Sequence, residues 1–437
     1  MNILDNYIKG EIAVPETMMA LVSGGIGFDN LAIKEVPVPK VGPNQLLARV
    51  DAAGVCTSNI KLIAQGSAHT FINGWDMKKW PLILGDEGAV TIAQVGKNLK
   101  GQFQPGQRFA IQPAVDVPPI LHRERYNNNG EGMSKCAVGY TLGGHLAQYL
   151  LIQEEVLEGE CLLPLPDESM PYFSVSMAEP ISCVYSAQQH SYHIIKKDPH
   201  TPRVPHLGLL PEGIAVVIGA GAMGRMHAEL ALRFKPRALI VTDLQQERLD
   251  NVITNITDKA KQNNCTLACV TPDQLEETLN QLSQGAGADD IILAIGNNPV
   301  QQQALGMLAE GGAANLFGGL PKGKHILQLD ALAVHYKGIK VVGSSGGQPS
   351  DLVETLTAIA QNDINPGNYV AAVGSLDNAI DVLKMIAETK IDGKAILYPH
   401  ISHVPLQTVD NWNGRKEQAF LETHLTTGNA IKRKNHV

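Results

Sequence analysis

Three glycines, Gly219, Gly221 and Gly224, stand in the run GAGAMG directly after the apolar stretch Ile214 to Ile218. That spacing can cradle a pyrophosphate. The first glycine permits a tight turn, the second lets the backbone approach the phosphates, and the third lets the following helix pack closely on the strand, with helix N–H groups facing the negative charge. A second apolar run, ALIVTD, ends at Asp243, about 20 residues further on, where a carboxylate can accept hydrogen bonds from both ribose hydroxyls of an adenosine. A 2'-phosphate would meet repulsion there, so NAD is expected over NADP. Arg248, in the next helical stretch, is a candidate phosphate contact.

These residues need a parallel sheet behind them, and the surrounding pattern predicts one. From Pro211 strand-like runs alternate with helical stretches: IAVVIGAG, a helix through about Phe234, ALIVTD, a helix from Gln246, DIILAIG and AANLFGG. The first 150 residues read differently, as short apolar runs (LLARVDAAGV, AVTIAQVG, RFAIQPA) between turn signals such as VGPN and QPGQ, which predicts a β-rich unit. The stretch KKDPHTPRVPHLGLLPEG, rich in proline and glycine, is expected to be an inter-domain connection. The expected organisation is a catalytic domain over 1–195, a dinucleotide-binding domain over 196–349, and a segment over 350–437 that returns to the first. No internal repeat is visible, and the IKRKNHV tail reads as a solvated end.

Composition narrows the function classes. The chain has 437 residues, 44% hydrophobic and 18% charged, which excludes wholesale disorder. A net charge of -8 disfavours a phosphate backbone as partner, and no apolar run approaches the length that crosses a bilayer. Six cysteines are too few for a disulfide-stapled scaffold, and no secretory leader is read, so a reducing cytoplasm is the expected location.

The segments MMALVSGGIGFDNLAIKEVPVPKVGPNQLLARVDAAGVCTSN, PLILGDEGAVTIAQVGKN, PGQRF, GGHLAQY and MAEPISCVYSA follow one another in an order that resembles the zinc-containing medium-chain alcohol and polyol dehydrogenases. The likeness spans roughly residues 19 to 400. The AEP glutamate and TDLQQERL look most like the sorbitol dehydrogenase branch, and the long connection with GQRFAIQPAVDVP looks more narrowly like L-sorbose 1-phosphate reductase-type members. The resemblance implies an α/β architecture: a GroES-like β-rich catalytic domain plus a Rossmann doubly wound sheet. It places Cys56 at the family's first zinc-ligand position, Asp86, Glu87 and Glu179 at positions around the same metal, Ser58 at the start of the proton relay, and Lys61 where many members have histidine. A thiolate and carboxylates can hold Zn²⁺ with one position left open for water or a substrate oxygen.

The chain also departs from the pattern. Gly85-Asp86-Glu87 replaces GHE, so a carboxylate stands where an imidazole is usual, which should lower the Lewis acidity of a bound ion. Val90, Thr57 and Asn59 also differ from the usual residues. Only Cys136 occurs between residues 110 and 160, so one catalytic zinc and no structural zinc is expected. Cys161, Cys183, Cys265 and Cys269 read as packing residues. Of His69, His122, His145, His190 and His193, only His69 is a candidate substitute ligand. Arg123, Arg125 and Lys61 could bind a phosphate. The leading expectation is hydride transfer between NAD(P) and a secondary alcohol or ketone of a polyol, sugar or sugar phosphate, for example L-sorbose 1-phosphate to D-glucitol 6-phosphate, by a homodimer or homotetramer. The alternatives are a metal-free quinone or enone reductase and a non-catalytic nucleotide-binding protein.

Overall fold

The computed structural model describes residues 3–11 and 13–425; the IKRKNHV tail lies outside the described residues. The chain divides into two compact units, one comprising Met1–Glu179 and Pro366–Val437, the other Pro180–Asn365. The divisions thus lie away from 195/196 and 349/350, and two features explain the shift. The proline-rich stretch is no loose connection: Tyr192–Ile195 pairs antiparallel with Val204–Leu207. His193 of this hairpin is tied through Nε2 to Asp290 of the parallel sheet at 3.0 Å. At the other end, the helix Pro349–Ala360 and the turn after it stay with the same unit, where Lys259 donates to the carbonyls of Asn362 and Asp363.

In the first unit the strand Leu46–Gly54 is buried along its whole length. The reason is its central place in a sheet of eight strands among the described residues. Glu87–Val95 pairs along one edge; Tyr149–Ile152 and then Lys394–Tyr398 share the other. The charged side chains this strand carries inward are matched: Arg49 Nε donates to Asp51 at 2.6 Å, and Thr91 Oγ1 donates to the other Asp51 oxygen at 2.6 Å. Leu46, Val50, Leu62, Ile63, Trp75, Ile92 and Leu397 form part of the core against it. The stretch before Cys136 is held by polar contacts. Glu155 accepts from the N–H groups of Ile120 (2.9 Å) and Leu121 (2.8 Å), and Arg125 lies 4.0 Å from the Trp80 ring centre.

The second unit is a six-stranded, all-parallel sheet among the described residues, ordered Thr266–Val270, Ala238–Thr242, Ile214–Ile218, Ala288–Leu293, Leu308–Asn315, Lys340–Val342. Strands such as IAVVI are apolar at every position because helices cover both faces. Val217, Val241, Leu249 and Ile256 pack on one face, and Val216, Ile240, Leu275 and Leu279 on the other. Strand Thr266–Val270 and helix Pro272–Ser283, which the sequence pattern does not single out, complete one edge.

Candidate active site

Register in the first unit brings distant residues together. Gly54 lies opposite Glu87 on one side and Ile396 on the other, so Glu87 and Lys394 flank the end of the strand that leads into Cys56. Glu87 and Lys394 form a buried ion pair through Glu87 Oε1. The Glu87 side chain runs over Gly54, where an added Cβ would sit 2.2 Å from Oε2. Gly54 is therefore required by close approach. Cys56 begins the helix Thr57–Gln65 as its N-cap, with Sγ accepting from Ser58 N at 3.4 Å. Ser58 Oγ donates to Asp86 Oδ2, and Asn59 Nδ2 donates to Asp86 Oδ1 at 3.1 Å. Asn59 also accepts from Gly85 N at 3.2 Å, which fixes the Gly85-Asp86-Glu87 turn.

Charge in this cluster is unbalanced. Burial, then the Asp86 and Glu87 carboxylates, push the Cys56 thiol well above its ordinary range, with Lys394 opposing them. Burial also raises Glu87, against the pull of Lys394. Burial works against the Lys394 ammonium, but Glu87 and Cys56 outweigh it and Lys394 is raised. Glu179 acts on both Cys56 and Lys394, so it belongs to the same cluster. As placed, no three His, Cys, Asp or Glu side chains among the described residues stand close enough to grip an ion. The donor chemistry nevertheless suits Zn²⁺. The Cys56 thiol and the Glu87 and Glu179 carboxylates act on a single ammonium, and Glu87 Oε2 is buried with no hydrogen-bond partner among the described residues.

In the second unit Gly219 takes a left-handed φ of 99°. At Gly224 a Cβ would sit 1.7 Å from the Gly219 carbonyl oxygen. Around Gly221, the N-cap of helix Ala222–Ala231, a Cβ would meet nothing within 4 Å. The turn, the close helix–strand packing and the open approach expected of a dinucleotide loop are all present. Asp243 Oδ2 accepts from Ala220 N at 2.7 Å and Oδ1 from Gln245 N at 2.9 Å, so the carboxylate is clamped against the loop. Arg248 Nη1 lies 3.7 Å from Asp243.

Residues 42–167 match the model for the alcohol dehydrogenase GroES-like domain and residues 222–361 that for the zinc-binding dehydrogenase family. The chain is 31% identical over 399 residues to mannitol-1-phosphate 5-dehydrogenase of Aliivibrio fischeri, covering 90% of this chain and 89% of that one. The chain belongs to the zinc-type medium-chain dehydrogenases/reductases. This dehydrogenase is also 27% identical over 386 residues to L-sorbose 1-phosphate reductase of Klebsiella pneumoniae, covering 85% of this chain and 86% of that one. Its fold matches 2R,3R-butanediol dehydrogenase from Bacillus subtilis with a TM-score of 0.68 at 18% identity, covering 87% of this chain and 99% of that one. The reaction is NAD(P)-dependent interconversion of an alcohol and a carbonyl compound. Among the described residues no helix is long and apolar enough to cross a membrane.

The dehydrogenase gathers Cys56, Ser58, Asp86, Glu87 and Glu179 in one place and keeps Gly219, Gly221, Gly224, Asp243 and Arg248 together in the other unit. Lys61 is exposed, one helical turn beyond Ser58. His69 is not in the Cys56 cluster; its ring lies 5.0 Å from that of Tyr140. His145 is buried under the Gly85 turn, Nδ1 3.2 Å from the Gly85 carbonyl, and burial lowers its pKa to about 4. All six cysteines are free thiols. Two residues of the site carried no signal in the sequence. Lys394 begins a strand 307 positions from Glu87, and Tyr140, whose phenol burial and the Asp86 and Cys56 charges push up, sits in a short VGYTLGG turn that no spacing rule marks.

Proposed function

We propose that this dehydrogenase is a zinc- and NAD-dependent oxidoreductase acting at a secondary carbinol of a polyol phosphate. The observation that carries the reading is the gathering of Cys56, Glu87 and Glu179 around Lys394, beside a Ser58 hydroxyl already held by Asp86. Cys56, Glu87 and Glu179 would hold the ion. When bound, Zn²⁺ supplies Lewis acidity toward the substrate oxygen. Asp86, the fourth member of the expected ligand set, accepts from Ser58 and Asn59 and in this reading would take the proton. Ser58 receives the proton of the substrate hydroxyl at Oγ and passes its own along its bond to Asp86 Oδ2. Lys394 opposes the rise that burial imposes on Glu87 and holds the carboxylate in place. When bound, the nicotinamide would supply the hydride acceptor for oxidation of the carbinol and the donor for the reverse reaction.

The preference for NAD follows from Asp243, fixed by Ala220 N and Gln245 N where the adenosine ribose would lie. The phosphate in the substrate class is supported by two relatives whose names specify phosphorylated substrates. The deciding experiment is metal analysis of the purified protein followed by kcat/KM for polyols and polyol phosphates with both cofactors, before and after chelation. The expected result is one zinc per chain, turnover lost on chelation and regained with zinc, and polyol phosphates preferred. Full turnover of an enone or quinone after metal removal would replace this reading with that of a metal-free reductase.

A further inference from the structure

The phosphate of such a substrate needs cationic donors that the fold has not already used. Arg123 Nε donates to the Asn129 carbonyl at 3.1 Å. Arg125 is laid over Trp80, at 4.0 Å, and Trp75, at 5.4 Å. Arg49 is tied to Asp51, and Lys394 to Glu87. Lys61 differs from all of these: it is exposed and makes no ion pair among the described residues. It lies three positions after Ser58 in helix Thr57–Gln65, and so on the same helix face, about one turn or 5 Å along the axis.

His69 stands beside it. The Lys61 charge, after burial, is what lowers the His69 pKa, so the two side chains are electrostatic neighbours. His69 Nδ1 accepts from Phe71 N at 3.3 Å, so the neutral ring carries its proton on Nε2, which has no hydrogen-bond partner among the described residues. The ring packs against Tyr140 (5.0 Å between centres) and Phe71 (5.8 Å), which also pack on each other at 5.3 Å. Tyr140 in turn is an electrostatic neighbour of Asp86, Cys56 and Ser58. The Tyr140, Phe71 and His69 rings therefore form one cluster with Ser58 neighbouring Tyr140 at one end and Lys61 neighbouring His69 at the other.

We infer that Lys61 and His69 form the anion-recognition end of the substrate site and bind the phosphate of a polyol phosphate whose carbinol lies at Ser58. The inference rests on the proposed polyol phosphate reading. An ammonium and an Nε2–H donor facing one anion offer two charge-assisted hydrogen bonds, and the phosphate removes the repulsion that Lys61 exerts on a protonated His69. The C–H faces of the polyol chain pack on the rings between the two ends.

The test compares wild type, Lys61→Met, Lys61→Arg and His69→Leu in the full-length enzyme, with hexitol 1-phosphate and the unphosphorylated hexitol as paired substrates. The ratio of their kcat/KM values should fall about tenfold or more in Lys61→Met, the loss appearing in KM for the phosphorylated substrate. It should fall in the same direction in His69→Leu and recover in Lys61→Arg. Equal losses on both substrates would overturn the inference and assign Lys61 to proton transfer. Calorimetric titration with inorganic phosphate alone gives a second readout. Weaker binding in Lys61→Met supports the pair, and unchanged binding overturns it. Should wild type turn over neither substrate, the proposed function falls, while the phosphate titration still judges the pair.

Discussion

The two ligand-facing regions of this dehydrogenase are built in opposite ways. The dinucleotide loop is local: Gly219 to Gly224 and Asp243 belong to one strand–helix–strand run, and its bonds join neighbours such as Ala220 N and Asp243. The Cys56 cluster is assembled from a helix cap, a strand start, a helix interior and a strand from the far end of the chain. The contrast shows in two glycines. Gly224 is crowded by the backbone of its own loop, whereas Gly54 is crowded by the Glu87 side chain from another strand. Backbone geometry thus makes the first region, and side-chain electrostatics across a sheet makes the second.

The sharpest way to separate the two is a matched pair of substitutions. Cys56→Ala should lower kcat by about 10²–10³ or more while NADH affinity, measured by fluorescence titration, is retained. Gly224→Ala should do the reverse, weakening NADH binding at least about tenfold, because its Cβ has no room beside the Gly219 carbonyl. Loss of both properties in either variant would show that the regions are not independent.

Next in size is the buried pair. Lys394→Met leaves Glu87 buried without its counter-ion and should cost about 3–5 kcal/mol in urea unfolding. Lys394→Met combined with Glu87→Gln should recover much of that loss, since no bare charge remains. A single variant as stable as wild type would contradict the assignment of this pair.

A third test uses Glu417, which also sits in the first unit but outside the cluster. Burial pushes it up to about 7, although it accepts from Phe173 N at 2.7 Å, Tyr398 O–H at 2.9 Å and Tyr172 N at 2.8 Å. Its ordinary value is 4.5. Between these values the folded protein holds a proton that the unfolded chain has released, so this contribution is fully present below about pH 4.5 and lost as pH rises through about 7. The loss is roughly 3 kcal/mol. Glu417→Gln should flatten that part of a plot of urea midpoint against pH; an unchanged slope would remove Glu417 as the cause.

The smallest expected effect belongs to the loop. Asp243→Ser should narrow the NAD over NADP preference in kcat/KM by roughly one order of magnitude, by removing the carboxylate that faces a 2'-phosphate. A wild-type preference for NADP would transfer the ribose-reading role to Arg248, 3.7 Å away.

What the sequence by itself determined is whatever depends on near neighbours. The IAVVI strand, the GAGAMG turn and the helix after it follow from apolar periodicity and from the conformations that only glycine takes without strain, and Asp243 is found by counting along the chain. The resemblance carried Cys56, Ser58, Asp86, Glu87 and Glu179 because each sits in a short motif. Only the tertiary structure decided the rest. It showed that Lys394 pairs with Glu87, that Asp86 accepts from Ser58 and Asn59, and that the Tyr140 ring packs on His69. It also turned the proline-rich connection into a hairpin anchored by His193 to Asp290. Local rules cannot supply these facts, because strand register and the burial of charge are settled between segments hundreds of residues apart, where no periodicity or spacing in the chain records which side chains will meet.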